Sequence, residues 1–257
     1  MSKKKCKFAL LILPFIMLSE LAAQSPADYL EQGNQFAKLF DNTRALDMYK
    51  NALTVDTSNC TALWRIAESY INLGEEADKK TCVQYFYVAE KWARKAVANC
   101  PQTANGYFFV AISSGYLALH EQGKQKIKRS KEVKENAEKT LELEPNHHGA
   151  YHVLGRWHQE LTSLNWFLKA LAKIVYGGVP PGASYDAAVE NFKKAIKIAP
   201  EWINHHKQLG ITYMKMGNWQ LAKREFETVL ELPIVDHQDE HHKNVCRKLL
   251  KKLENKS

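Results

Sequence analysis

The sequence predicts an all-α fold, a solenoid of about five helical hairpins that ends in a carboxy-terminal capping helix. Two observations predict it. A unit with regularly spaced small and aromatic residues recurs along the chain, and each copy closes with a similar apolar run, as at 141–145 and 230–233. Within the units, apolar residues recur three and four positions apart, which indicates helices, and no alternating strand pattern of useful length is present. One such hairpin cannot bury its apolar face alone, so neighbouring hairpins must stack.

The repeating unit resembles the tetratricopeptide repeat. In the first copy, Gly33 and Tyr49 stand where that pattern has a small and an aromatic residue, and Gly210 and Phe226 do the same in the last. Small residues let the two helices of a hairpin approach each other, and aromatic residues fill the gap. We assign residues 24–257 to one tetratricopeptide-repeat domain, with copies at about 26–59, 60–103, 104–147, 148–202 and 203–235 and a capping helix at 236–257.

The fourth copy contains an insert of about twenty residues. Its segment from Leu161 to Val175 is apolar around most of a helix circumference, so it must be buried on more than one side. We expect an extra helix that packs into the core of the solenoid. The alternative is a lid over the groove, or a surface that receives a partner or lipid.

By resemblance to tetratricopeptide proteins, the first helix of each copy lines a concave groove. The side chains that would face this groove are aromatic, polar and charged, and such side chains anchor peptides. They are Asn34, Lys38, Trp64, Glu68, Asn72, Phe108, Ile112, Tyr116, His152, Arg156, Gln159, Lys207 and Met214. The expected ligand is a protein or peptide. A chaperone carboxy terminus is not expected, because Leu30 stands where the carboxylate-clamp pattern has its first lysine.

The formal net charge of +8 includes a basic stretch in the third copy. This basic patch consists of Lys124, Lys126, Lys128, Arg129, Lys131 and Lys134. Such a patch could meet an acidic protein surface, a nucleic acid or an anionic membrane, or it could simply be a solvated helix face. No aromatic residue is interleaved for base stacking, so nucleic acid is not an expected partner.

The amino terminus has the outline of a secretory signal peptide. Four lysines precede an apolar run at 8–18, and small residues follow at 22–23. The run is short for a membrane span, which needs about 20 residues. We predict a signal peptide at 1–23 with cleavage after Ala23, and the alternative is an uncleaved anchor.

Cysteines and histidines do not form a diagnostic catalytic or metal motif. Cys60 and Cys100 would lie together at the ends of one antiparallel hairpin, where a disulfide is possible, but no CxxC pair occurs. His148 and His152 share a helix face without the HExxH pattern. No nucleophile elbow, phosphate loop or paired-carboxylate motif is present. We therefore expect no enzyme activity, no metal, no cofactor and no small-molecule substrate.

A narrower resemblance appears in the fourth copy, at 154–157, 164–167 and 176–185. These segments, with 63–67 in the second copy, resemble the regulator of microtubule dynamics family from about residue 60 to the end. The resemblance implies a non-catalytic helical-repeat protein that associates with microtubules and spindle poles.

Two classes of function follow from the sequence. The first is a scaffold that binds a protein or peptide in its groove. The second is a cell-envelope assembly factor or a microtubule-associated structural protein that acts through its basic face. A cleaved signal peptide predicts export to the periplasm or cell envelope, and the alternative is a membrane-anchored or cytoplasmic protein at the spindle or microtubules.

Overall fold

The computed structural model describes residues 24–164 and 183–254. This part of the chain is helical and contains no strand, which confirms the all-α solenoid. The helices are, in order, α1 Pro26–Lys38, α2 Asn42–Val55, α3 Cys60–Glu76, α4 Cys82–Asn99, α5 Ala104–His120, α6 Gly123–Leu143, α7 His148–Ser163, α8 Tyr185–Ile198, α9 Ile203–Lys215, α10 Trp219–Glu231 and α11 Asp239–Leu253. The predicted signal peptide and most of the predicted insert lie outside the described residues.

The helices pair into five consecutive hairpins, from α1 with α2 to α9 with α10, and each hairpin packs on the next. The first helices of successive hairpins also contact one another, as α3 does with α5, α5 with α7 and α7 with α9. The first helices therefore lie on the inside of the curve and line its concave side.

Close packing within four of the five hairpins, all but the third, depends on a glycine that faces an aromatic ring. A Cβ added at Gly210 would lie 2.5 Å from the ring of Phe226, and one added at Gly155 would lie 2.7 Å from that of Phe192. Both phenylalanines are fully buried. Burying such a ring contributes about 1.5–3 kcal/mol, so the recurring glycine and aromatic pair stabilises these four hairpins by letting a large ring fit between the two helices.

A disulfide joins the two ends of the second hairpin. Cys60 begins α3 and Cys100 follows the end of α4, and their Cα atoms lie 5.9 Å apart. Cys82 and Cys246 are free and buried. In the two described segments, every helix is either too short or too polar to span a membrane.

The carboxy-terminal part of the chain turns back toward the first helices. Between α10 and the capping helix α11, residues 232–238 form a non-helical segment that we call the strap. The Asp239 carboxylate accepts hydrogen bonds of 2.8 Å from two strap N–H groups. Lys243 donates to two carbonyls near the end of α10. These bonds hold both ends of the strap, and they place His237 against α3 of the second hairpin.

Candidate partner-binding groove

Trp64 of α3 forms a flat aromatic platform in the amino-terminal half of the groove. Its ring stacks on that of Phe109 of α5, with centroids 5.9 Å apart and planes inclined by 8°. The guanidinium of Arg65 lies 4.3 Å from the centre of the Trp64 ring, and Glu68 holds that guanidinium at 2.7 Å. Trp64 is only half-buried. Both the Phe109 ring and the fixed Arg65 guanidinium therefore lie against the Trp64 ring, and only the remaining part of the indole is open to a partner.

Other predicted groove residues in this half also take part in packing between helices. Asn34 accepts a hydrogen bond of 3.0 Å from the hydroxyl of Tyr49, and Asn72 donates one of 2.9 Å to Asn42. Lys38 is exposed at the end of α1. Because their side-chain amides already form hydrogen bonds between helices, Asn34 and Asn72 are less available to a partner than the sequence predicts.

On α5, two predicted groove residues lie in aromatic contacts. Phe108 packs against His147, with ring centroids 4.4 Å apart. Tyr116 stacks on Phe86, also at 4.4 Å, and its hydroxyl donates a hydrogen bond to the Glu75 carboxylate. Tyr116 thereby links the first helices of the second and third hairpins.

Three histidines form a hydrogen-bonded chain between α7 and α9. Nδ1 of His148 lies 2.9 Å from Nε2 of His205, and Nδ1 of His152 lies 2.9 Å from Nδ1 of His205. Burial lowers the pKa of His205 to about 2 and that of His152 well below its usual value. The rings are therefore neutral at pH 7. Across 24–164 and 183–254, no group of three or more His, Cys, Asp or Glu is arranged to hold a metal ion.

Two predicted groove residues are not open to a partner, which corrects the prediction. Gln159 is 2% exposed, because its amide lies between α7 and α9 and donates a hydrogen bond of 2.8 Å to Thr212. Lys207 is 8% exposed, because α11 covers it, and its Nζ lies 2.9 Å from Nδ1 of His242. Arg156 remains part-exposed and pairs with Glu160 at 3.1 Å. Helix periodicity places these residues on the correct helices but does not reveal what covers them.

The strap contributes groove residues that the sequence did not predict. Nε2 of His237 lies 3.0 Å from Oε2 of Glu75, and its Nδ1 lies 3.5 Å from Asp236. Burial opposes the charge on the imidazole, but the two carboxylates outweigh it and raise the pKa of His237 to about 10. Burial also raises the pKa of Glu75, against the effect of His237. No local sequence pattern predicts a contact between residues so far apart in the chain.

The predicted basic patch is divided between the surface and an internal ion-pair network. Arg129 belongs to the network, since it lies 2.5 Å from Glu90 of α4 and its side chain is 16% exposed. Lys131 and Lys134 pair with glutamates one turn further along α6. The exposed part of the patch is therefore smaller than predicted, with Lys124, Lys128 and Lys131 at its surface.

The fold and the groove define a helical-repeat protein of the tetratricopeptide class, with an aromatic platform and buried basic groups on its concave side. The model of the family described as regulator of microtubule dynamics protein 1-3 matches residues 25–254. The chain therefore belongs to the regulator of microtubule dynamics family, as its sequence resemblance predicted.

The comparisons with individual proteins agree with this assignment. Regulator of microtubule dynamics protein 1 of Bos taurus is 26% identical, over 90% of this chain and 71% of its own length. Protein 3 of Xenopus laevis is 29% identical, over 73% of this chain but only 41% of its own length. A thermophilic tetratricopeptide protein of Thermus thermophilus superposes with a TM-score of 0.65 at 16% identity, over 86% of this chain and 98% of that one, which supports the fold alone.

Proposed function

We propose that this protein is a non-catalytic scaffold that binds a segment of a partner protein in its concave groove. The Trp64 platform carries the proposal. Aromatic and arginine side chains dominate the binding energy of many protein interfaces, and here Trp64 and Arg65 lie together, half-buried, on a first helix. The family's tetratricopeptide-type architecture supports a scaffold.

Site-specific photo-crosslinking tests this proposal and identifies the partner. A photoreactive phenylalanine analogue is placed at Glu68, a part-exposed residue one helical turn from Trp64 on α3, so that Trp64 itself is kept. The matched control position is Tyr87, a 49% exposed aromatic residue on the second helix α4. We expect a defined adduct from position 68 in cells and none from position 87. Equal adducts from both positions, or none from position 68, would contradict a groove site.

A second candidate is a structural role at microtubules or in cell-envelope assembly, through the exposed part of the basic patch. The names of the relatives favour the role at microtubules. Lys124, Lys126 and Lys128 carry no ion pair within the described chain, so their charges are available to a partner. If this role is correct, changing these three lysines to glutamine lowers the fraction of the protein that co-sediments with microtubules. Added salt should also lower the fraction of the unaltered protein that co-sediments. The matched control changes three exposed lysines elsewhere, Lys193, Lys197 and Lys251.

We propose an exported location for the mature chain. The basic amino terminus with its apolar run supports this location, as does the Cys60 to Cys100 disulfide, because disulfides persist in oxidising compartments. Cell fractionation with amino-terminal sequencing tests it. A mature chain beginning at Gln24 in the exported fraction is expected. An intact Met1 in the cytosol or on a membrane would instead favour the anchored or microtubule-associated alternative.

A further inference from the structure

The strap inserts a cationic side chain into an acidic site on the first helices. The site consists of the Glu75 carboxylate of α3 and the Tyr116 hydroxyl of α5, which donates to Oε1 of that carboxylate. The other oxygen, Oε2, faces the imidazole of His237 at 3.0 Å. The His237 side chain is 7% exposed, so it is enclosed in the manner of a bound ligand.

Both groups of the acidic site belong to the first helices and not to the strap. Glu75 lies in the last turns of α3, and Tyr116 is held in place by its stack on Phe86. The hydroxyl of Tyr116 satisfies one carboxylate oxygen and leaves the second without a donor from the first helices. A largely buried carboxylate is costly without a counter-charge. A cation at Oε2 therefore stabilises the charged carboxylate, whichever segment supplies it.

His237 fills this role imperfectly. Its Nε2 lies within ion-pair distance of Glu75 but makes no well-aligned hydrogen bond. The imidazole and the carboxylate therefore attract each other by charge, without a directed hydrogen bond between them. An arginine or lysine side chain carries several N–H donors and can add directed hydrogen bonds to a carboxylate. The strap itself is non-helical, and its Ile234 and Val235 side chains are 49% and 38% exposed.

We propose that the Glu75 and Tyr116 pair is a receptor site for an arginine or lysine side chain of the partner segment, and that His237 occupies this site when no partner is bound. The inference rests on the proposed groove function and specifies the chemistry of the ligand. Binding of the partner then displaces His237 and lifts the strap from the first helices.

The probe for this site is the peptide acetyl-Gly-Arg-Gly-amide, titrated calorimetrically into the full chain. His237→Ala removes the internal competitor, and we expect it to bind the probe at least tenfold more tightly than the unaltered protein. The same peptide with citrulline in place of arginine should gain nothing, because it lacks the charge. Adding Glu75→Gln to His237→Ala should abolish the gain.

Three results of this titration would overturn the inference: no gain in His237→Ala, an equal gain for the citrulline peptide, or a gain that survives Glu75→Gln. If His237→Ala fails to fold by circular dichroism, His237→Gln keeps the side-chain size but removes the charge, and a smaller gain in the same direction is expected of it. A partner segment whose affinity depends on Trp64 but not on Glu75 or His237 would overturn this inference and leave the proposed function intact.

Discussion

Nζ of Lys207 lies 2.9 Å from Nδ1 of His242, so two basic groups meet in the buried contact between α9 and the capping helix. Lys207 can donate only if that ring nitrogen is unprotonated. Burial ensures this, since it lowers the pKa of His242 to about 3. Burial, with the nearby charge of Arg156, also lowers the pKa of Lys207 to about 8. The ammonium is therefore held at pH 7 without a carboxylate in ion-pair range among the described residues.

Replacing Lys207 by methionine should stabilise the protein. Because the pKa of Lys207 falls from 10.5 to about 8 on folding, the charged amine costs the native state up to about 3 kcal/mol at pH 7. Loss of the bond to His242 offsets part of the gain, so we expect the free energy of unfolding in urea to rise by about 1–2 kcal/mol. The gain should shrink between pH 8 and 10.5, as the unfolded chain also loses its proton. A pH-independent loss of stability would contradict this interpretation.

The buried histidines should make the fold sensitive to acid. His205 and His242 have folded pKa values of about 2 and 3, against 6.5 in the unfolded chain, and the pKa of His152 is also strongly lowered. As pH falls below 6.5, these histidines become protonated in the unfolded chain but stay neutral in the folded chain. Stability should therefore fall by about 2–4 kcal/mol per pH unit between pH 6 and 4.

Urea unfolding at a series of pH values measures this dependence. The variant His205→Asn removes one titrating group, so its free energy of unfolding should change less steeply with pH, by about one proton, whatever its stability at pH 7. An unchanged slope in this variant would show that other groups cause the acid sensitivity.

Two glycine substitutions test how the hairpins pack. Gly210→Ala places a Cβ 2.5 Å from the Phe226 ring, and should lower the free energy of unfolding by about 1–3 kcal/mol. Gly115→Ala is the matched control, because its nearest neighbour is Val133 at 3.8 Å. There, alanine should raise stability by about 0.5–1 kcal/mol through helix propensity. Thermal unfolding compares the two, and stabilisation by both would contradict the close-packing account.

The disulfide should contribute strongly to the stability of the second hairpin. It joins residues 40 positions apart, so replacing Cys60 and Cys100 by serine should cost about 4 kcal/mol by chain entropy. Thiol titration of unfolded, unreduced residues 24–257, which exclude Cys6, tests the pairing. Cys82 and Cys246 should react, and Cys60 and Cys100 should not react until a reductant is added. Reaction of all four without reductant would contradict the bond.

Sequence alone predicts the features that local patterns encode. The glycine and aromatic spacing predicts the hairpins, and the ends of one hairpin bring Cys60 and Cys100 together. The same reasoning fails for Lys207, because a helical period indicates a face but not the later helix that covers it. It also misses Glu75 and His237, because their contact depends on how far the whole solenoid curves before the strap returns. A contact between residues so far apart in the chain leaves no local pattern in the sequence.

The affinity of the crosslinked partner segment for three variants tests the central claim most directly. We predict that Trp64→Ala weakens binding at least tenfold, a loss of about 1.4 kcal/mol, while Tyr87→Ala leaves it unchanged. Neutralising Lys124, Lys126 and Lys128 together should have little effect. An affinity that survives Trp64→Ala but is lost with the three lysines would contradict the groove account and assign binding to the basic face.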